Sequence, residues 1–323
     1  MHGYDHTDVR AIERYVAHAA DMVRIATAVE DPILLFEAHT QQIYGSIFMG
    51  DRATFDAALE SVGSLAGQLR QPRLEARALA MRIAQELLSG RLDDAEEKIA
   101  ALREYVAAHR VPNDSAHASL AFQLYYERGR LAELEPLLAQ LVADQPQIVA
   151  WRAALLTAYT NTDRLEDARD QLRKLAESDF AMVPRDNLWV PTMLGVVTAA
   201  GDTRELDIAE RAYHYLLPFR GIVALTGLTA ILPVALGLGV AAAALGHLDD
   251  AEDLFAEGIA TGERFGAPSF VASGRARWAT ALIQSGRPGD VPRAKELAQP
   301  ALTTAEELGL GRVAELSRRV LAV

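Results

Sequence analysis

Apolar residues recur along the chain with the spacing of amphipathic helices, and a short polar phrase separates one helix from the next. The phrase is clearest in LSGRLDDAEEKI near residue 90, TNTDRLEDARDQL near 163 and ALGHLDDAEDLF near 246. After each turn, the small and apolar positions lie about four residues apart, which places them on one helix face. Alternating β-branched runs bounded by turns are missing, so the pattern predicts helices and no strands.

The turn phrase repeats at a nearly constant interval. Its anchor residues are Gly50, Gly90, Gly129, Asp163, Gly201, Gly246 and Gly286, and the intervals between them run from 34 to 45 residues. A glycine ends a helix because it adopts the left-handed backbone conformation at little cost. Each interval of about 40 residues therefore predicts one helical hairpin, and such hairpins bury their apolar faces only by stacking.

The predicted fold is all-α. We expect a single domain over residues 1–323, an α-solenoid of about seven hairpins wound into a right-handed superhelix. An opening helix falls within 1–30, the hairpins span 31–299, and a closing helix falls within 300–323. Small residues after each turn allow close helix packing, and proline pairs such as Asp31-Pro32 mark where helices begin.

Residues 221–246 contain no charged side chain, and a segment of this length is long enough to cross a bilayer. Against a membrane span, the segment ends in the same turn phrase as the other units, contains Pro233 and several glycines, and has no flanking basic cluster. We interpret it as a connection over 221–231 followed by the first helix of a unit over 232–245. Segment 221–246 differs from the regular helical units, so if the stack contains an unusual pocket, its wall is expected here.

The composition narrows the possible chemistry. The chain has no cysteine, which excludes disulfides and thiolate sites, and its net charge of −12 disfavours binding to nucleic acids or anionic membranes. The N-terminus lacks an apolar secretory segment, so a cytoplasmic location is expected and the acceptor motif Asn113-Asp114-Ser115 has no glycosylation to receive. No cofactor is expected.

Two groups of carboxylates and histidines contain residue types that are found in metal-binding or catalytic sites. His2, Asp5 and His6 are a possible metal cluster, but chance histidines near a terminus explain them better, and no metal is expected. The pairs Asp93-Asp94 and Asp249-Asp250 recur directly after turns, where the positive end of a helix dipole favours acidic residues. Because no nucleophile motif occurs either, we expect the chain not to be an enzyme.

The hairpins resemble tetratricopeptide repeats, most closely over residues 235–258. There Leu238-Gly239, Ala251 and Phe255 occupy the positions at which that motif has Leu-Gly, a small residue and an aromatic residue. The other units are degenerate, and the period near 40 exceeds the standard 34 of the family. The resemblance implies a solenoid that binds partners along its concave face.

The region 210–315, including LLPFRGIVA and ALTTAEELGL, resembles the C-terminal repeats of actinobacterial multidomain regulators. In that group, such repeats accompany a P-loop ATPase module and either a nucleotide-cyclase-like domain or a LuxR-type helix-turn-helix. This chain has no phosphate-binding G-x-x-x-x-G-K-[ST] motif, no cyclase domain and no clear DNA-reading helix pair. The resemblance therefore implies a regulatory context but no ATPase, cyclase or DNA-binding activity.

The first helix of each predicted hairpin should line the inner groove. Counting back from the turns gives the candidate binding residues Glu37, Tyr44, Arg77, Ser119, Gln123, Tyr126 and Thr157. Their mixture of polar and aromatic groups suits a peptide or a small polar ligand, although ordinary solvated groove residues have the same composition. The tryptophans are expected to anchor packing. Arg275 and Arg277 either bind an anion or, more commonly for such arginines, pair with nearby acids.

Three functions remain open at this point. The first is a non-enzymatic interaction module of a bacterial signalling or transcriptional regulator, which binds a protein segment or another domain of the regulator. The second is a small-molecule sensor whose ligand enters the superhelix. The third is an enzyme without a recognisable motif.

Overall fold

The computed structural model describes residues 8–111 and 116–323, and within these ranges the fold is all-helical apart from one two-stranded antiparallel sheet. The helices are α1 (Val9–Ala28), α2 (Pro32–Met49), α3 (Arg52–Leu69), α4 (Pro72–Leu88), α5 (Leu92–His109), α6 (Ala116–Glu127), α7 (Glu135–Asp144), α8 (Ala150–Asn161), α9 (Leu165–Ala176), α10 (Trp189–Thr203), α11 (Leu206–Leu216), α12 (Val234–Leu245), α13 (Leu248–Phe265), α14 (Pro268–Ser285), α15 (Asp290–Leu308) and α16 (Gly311–Leu321). The strands are β1 (Val223–Thr226) and β2 (Thr229–Pro233).

Most helices pack against the next one along the chain, and α8, α10, α12, α14 and α16 also contact one another in a row. The predicted small positions lie at these contacts. Each is at most 2% exposed; they are Ala58, Ala95, Ala168, Ala209, Ala251 and Ala294. A larger side chain at such a position would hold two helices apart, which is why the repeat phrase requires alanine there.

Local signals at the helix ends are confirmed. Pro32, Pro72 and Pro268 each occupy the first turn of a helix, where the missing N–H costs no hydrogen bond. The acidic pairs Asp93-Asp94 and Asp249-Asp250 lie in the first turns of α5 and α13, as the dipole argument predicts. The closing segment 300–323 differs from the prediction, because α15 continues through Pro300 and the last separate helix is α16.

Six of the seven predicted turn anchors have a positive φ, and Gly201 is the exception. Gly201 lies inside α10, where a Cβ would approach Val240 Cγ1 to 2.9 Å, so this glycine serves close helix packing and not a turn. The turn residue is Arg204, with a φ of 58°. Counted from Asp163 to Arg204 and from Arg204 to Gly246, the intervals become 41 and 42 residues, so this unit has no extra length.

The prediction of no strands is wrong at residues 223–233. There β1 and β2 pair in antiparallel fashion, with Thr226 opposite Thr229 across a loop of Gly227 and Leu228. The flanking helices α11 and α12 have 11 and 12 residues, so the hairpin lies between two short helices.

The β-hairpin lies inside the helical array. Strand β1 contacts α2 and α10, while β2 contacts α4, α6, α12 and α13. Val223 and Ala224 are fully buried, and Leu225 and Leu232 are nearly so. An antiparallel pair with apolar residues on both faces is stable only where helices cover both faces, as they do here.

Helices α13 and α16 contact segments that lie far earlier in the chain. Phe55 of α3 makes an edge-to-face contact with Phe265 of α13 at a centroid distance of 5.9 Å. Asp163, in the turn before α9, pairs with Arg312 at 3.2 Å and with Arg319 at 2.5 Å, both from α16. These contacts join residues that are 149 to 210 positions apart in the chain, and they limit how far the helical array can open.

The uncharged stretch 221–246 forms the hairpin and the short helix α12. Among the described residues, no helix combines the length and the apolar character needed to cross a bilayer. The prediction of a helix over 232–245 is close to the observed α12, but residues 221–231 are an ordered hairpin where an irregular connection was expected.

Candidate functional site

A cavity of about 790 Å³ lies between the even-numbered helices and the β-hairpin. Residues of α2, α4, α6, α8, α10 and α14 form its helical walls, and β1, β2 and the hairpin loop form the remaining wall. Its lining includes exposed residues such as Arg73, Ala118 and Asn187, and buried ones such as Gln123 and Thr192. The cavity therefore leads from the surface into the interior, and its volume is in the range of small-molecule sites.

Six of the seven candidate binding residues lie on this cavity. They are Tyr44 from α2, Arg77 from α4, Ser119, Gln123 and Tyr126 from α6, and Thr157 from α8. The first helices of the predicted hairpins thus supply the inner surface. Glu37 is the exception: it is absent from the lining, and its carboxylate contacts Arg77.

Glu37 positions Arg77. The Nη1 of Arg77 donates to both carboxylate oxygens of Glu37, at 2.8 and 2.9 Å, and the guanidinium lies 5.7 Å from the centre of the Phe36 ring. Burial raises the pKa of the neighbouring Tyr44 phenol, and the positive charge of Arg77 opposes that rise. Arg77 is therefore held in place by the Glu37 carboxylate and by its interaction with the Tyr44 phenol.

The tip of the hairpin closes against α6. A Cβ at Gly227 would lie 3.1 Å from the Oγ of Ser119, and the hydroxyl of Thr229 lies 3.5 Å from the same oxygen. Gly227 has a φ of +56°, a conformation in which a side chain is strained. Both the backbone conformation and the close approach therefore favour glycine at this position.

The hairpin contributes five lining residues, in the segment where the sequence placed the wall of an unusual pocket but named no binding residue. They are Thr226, Gly227, Leu228, Ile231 and Leu232. The register shifts between the pairs Ala224–Leu232 and Leu225–Ala230, so Ile231 is the extra residue of a β-bulge. A bulge re-aims side chains, and here the consecutive residues Ile231 and Leu232 both reach the cavity. A signal was present, since β-branched residues flank a glycine at the first position of a two-residue loop.

The charges on the lining are of one sign. Among the described lining residues, Arg73, Arg77 and Arg277 are cationic, and no carboxylate or imidazole is present. Arg275 pairs with Glu263 at 3.5 Å and Arg277 with Asp202 at 3.7 Å, in line with the common outcome for such arginines, and Arg277 also lines the cavity. The net charge of the whole chain is −12, so the sign of the charged lining residues is opposite to that of the protein as a whole.

Several buried polar atoms of the lining have no hydrogen-bond partner within the described residues. They are the indole Nε1 of Trp151, the amide Oδ1 of Asn161 and the Nε of Arg277. Unpaired buried polar groups each cost about 1–3 kcal/mol, and they are uncommon unless water or a ligand satisfies them. Trp151 is thus a lining residue as well as the packing anchor that the sequence predicted.

A buried carboxyl group lies directly behind the cavity. Glu127 at the end of α6 is 7% exposed and accepts a hydrogen bond from the Nε2 of Gln123 at 2.8 Å. Burial raises the pKa of Glu127 to about 7, and the hydrogen bond from Gln123 only partly opposes that rise. Gln123 itself lines the cavity, so it connects this carboxyl group to the site.

The described residues contain no group of three or more histidine or acidic side chains arranged to hold a metal ion. His2, Asp5 and His6, as well as Asn113-Asp114-Ser115, lie outside the described residues. A scan against protein-family models finds no match, and a search of curated proteins finds none either.

Proposed function

We propose that this chain is a TPR-like α-solenoid whose interior cavity binds a small-molecule ligand, and that it acts as the non-catalytic sensor module of a cytoplasmic bacterial regulator. The observation that carries the proposal is the cavity of about 790 Å³, whose polar groups converge from five successive even-numbered helices. The turn phrase, with its interval near 40 residues, supports about seven hairpins and the right-handed winding typical of such repeats.

A small ligand fits this geometry better than a long protein segment along the groove. An extended segment needs an open concave channel, but the β-hairpin 223–233 occupies the interior and contacts α2, α4, α6, α10, α12 and α13. The same contacts provide a route to signalling, because a ligand that packs on Leu228 and Ile231 bears on an element touching both parts of the array.

The lining favours binding over catalysis. Within the described residues it offers hydroxyl, amide, indole and guanidinium groups but no carboxylate or imidazole for proton transfer near neutral pH. A tryptophan and several polar side chains around an apolar interior are typical of small-molecule recognition. The resemblance to the repeats of multidomain regulators supports the regulatory context.

The proposal is tested by blocking the cavity. Ala154 lies on the cavity wall of α8 with intermediate exposure, so Ala154→Trp should fill the space and abolish binding. In a thermal-shift screen of a metabolite library, a ligand at a hundred times its Kd should stabilise the wild type by about 2.7 kcal/mol. That stabilisation should disappear in Ala154→Trp and persist in Ala57→Trp, a control at an exposed position of α3.

A ligand that stabilises all three proteins equally would place its site outside the cavity, and a broad library without any shift would also count against the proposal. The competing function has its own test. If the groove binds a protein segment, the double variant Arg77→Glu, Tyr126→Ala should lose its partner in a pulldown, and Ala154→Trp should lose it as well.

A further inference from the structure

The cavity carries positive charge in a strongly acidic protein. Its described lining residues include the arginines 73, 77 and 277 and no Asp, Glu, His or Lys, although acidic residues outnumber basic ones by 44 to 32 in the whole chain. A recessed site lined by one sign of charge and flanked by low-dielectric walls concentrates ligands of the opposite sign. The charge distribution thus constrains the kind of ligand that the cavity admits.

Two of the cationic groups lie one helical turn apart. Arg73 and Arg77 are at positions i and i+4 of α4 and both line the cavity, an arrangement that is unfavourable for like charges. Only Arg77 has a carboxylate partner, Glu37. Arg73 has no hydrogen-bond or ion-pair partner anywhere in the part of the chain that the structure describes, and it lies on the exposed side of the cavity.

The third cation lies at the buried side. The Arg277 side chain is 10% exposed and forms an ion pair with Asp202, whose carboxylate oxygen lies 3.7 Å from Nη1. The Tyr126 phenol also interacts with this guanidinium. The Nε of Arg277 has no partner among the described residues, and an acceptor inside the cavity would satisfy this remaining donor.

The rest of the lining is largely apolar or aromatic. Phe122, Trp151, Leu194, Leu228 and Ile231 come from different elements and surround the same space. A simple inorganic anion would leave these surfaces without a partner. An organic body of moderate size, aromatic or aliphatic, would instead cover them and gain the usual free energy of apolar burial.

We propose that the ligand of this cavity is an organic anion, with a carboxylate or phosphate group bound by the guanidinium of Arg73 beside Arg77 and an apolar body packed against Trp151 and the β-hairpin. The inference rests on the proposed function, because it specifies the ligand class of the same cavity. Arginine is suited to the role because its planar fork pairs with both carboxylate and phosphate oxygens.

Four probes with the same aromatic body and different charged groups test this inference. They are naphthoate, naphthyl phosphate, the neutral naphthylmethanol and the cationic naphthylmethylammonium, each titrated into the full chain by isothermal calorimetry. One or both anions should bind at least about ten-fold more tightly than the alcohol, as a charge-assisted hydrogen bond typically yields. The cation should bind most weakly. A difference between the carboxylate and the phosphate identifies the preferred anionic group.

Arg73 is the informative position because its side chain supports no other contact among the described residues. Arg73→Gln should remove most of the preference for the anion while leaving the affinity for naphthylmethanol unchanged, and Arg73→Lys should retain part of the preference. Arg103→Gln is the matched control, since Arg103 is exposed on α5, lies away from the cavity lining and has no ion-pair partner in the described ranges. It changes the net charge by the same amount and should leave all affinities as they are.

The outcomes separate this inference from the proposed function. If all four probes bind with similar affinity and Ala154→Trp blocks them, the cavity binds ligands without selecting charge, and the anion inference is wrong. If no probe binds, the anion inference is wrong while the library screen still tests the proposed function; if Ala154→Trp leaves binding intact, both proposals are contradicted. An anion preference that Arg73→Gln and Arg103→Gln reduce equally would reflect the overall charge of the protein and would also overturn the inference.

Discussion

Replacement of Glu127 by glutamine is expected to flatten the pH dependence of folding stability and to stabilise the protein by on the order of 3 kcal/mol at pH 8. The physical reason is that Glu127 is buried at the end of α6, and its pKa in the folded protein is about 7 against an ordinary 4.5. The folded state therefore holds this proton more tightly than the unfolded state does.

The direction in which the free energy of unfolding changes with pH follows from this difference in pKa. Below about pH 4.5 both states are protonated, and the stability associated with the neutral carboxyl group is fully present. As the pH rises towards 7, the unfolded chain loses its proton first, so unfolding becomes progressively easier. Above a pH near 7 the cost is complete and constant. Glutamine, which stays neutral at every pH and can still accept from Gln123, should escape this loss.

Two arginines close to Glu127 could instead stabilise its ionised form, and this alternative predicts a different pH dependence. Arg277 and Arg312 line the same small cavity as Glu127, but both are engaged by other carboxylates: Arg277 by Asp202 at 3.7 Å, and Arg312 by Asp163 at 3.2 Å and Glu315 at 2.8 Å. If these arginines nevertheless held Glu127 ionised, the wild type would not lose stability between pH 5 and 8 through this residue, and Glu127→Gln would destabilise the protein.

Urea denaturation of both proteins at intervals across about pH 5 to 8.5 measures the effect, since the midpoint and slope give the free energy of unfolding at each pH. Glu104→Gln is the matched control. Glu104 is exposed on α5 and has no hydrogen-bond or ion-pair partner among the described residues, so its replacement should shift the whole curve only slightly. A pH profile of Glu127→Gln that runs parallel to that of the wild type would contradict the prediction.

Gly311→Ala is expected to destabilise the protein by about 1–3 kcal/mol, because it opens the contact between α16 and α6. A Cβ at Gly311 would lie 2.2 Å from the carbonyl oxygen of Arg128 and 2.8 Å from its carbonyl carbon. Both are backbone atoms that no rotamer change can move away. The facing Gly129 is equally restricted, since a Cβ there would lie 2.9 Å from the backbone nitrogen of Arg312.

Thermal unfolding of Gly311→Ala and of Gly67→Ala separates this contact from the general effect of replacing a glycine. Gly67 is exposed in α3, and a Cβ at this position would meet no described atom within 4 Å beyond the adjacent backbone of its own helix, so alanine should stabilise that helix by roughly 0.5–1 kcal/mol. The two substitutions are chemically identical and should have opposite signs. Similar melting temperatures for Gly311→Ala and the wild type would show that the end of the array is not held against α6.

Structural features that depend on residues close together in the chain could be predicted from the sequence. Helix starts at Pro32 and Pro72, acidic first turns at Asp93 and Asp249, and left-handed turns at Gly90 and Gly246 follow from local backbone chemistry. The inner positions were also accessible, because a regular hairpin places its first helix towards the interior. That regularity is why six of the seven candidate residues lie on one cavity.

The structure departs from the sequence pattern where local signals are ambiguous. The pattern predicts a turn at Gly201 because glycine often ends a helix, but its small size serves the approach of α12, and Arg204 adopts the left-handed conformation instead. Residues 221–231 are predicted as a connection, and the observed hairpin spans 223–233. Burial on both faces of a strand pair removes the alternation of apolar and polar positions, so the pattern alone could not identify the hairpin.

The sequence by itself determined the helical class, most of the left-handed turns, the small positions between helices and most of the polar residues that line the cavity. Only the tertiary structure decided that the β-hairpin enters the interior, that α16 packs on α6, and that Arg73, Arg77 and Arg277 share one cavity with no described carboxylate in its lining. The reason is the range of the interactions. Turns and helix faces depend on neighbours within a few residues, whereas the cavity joins residues more than 200 positions apart in the chain.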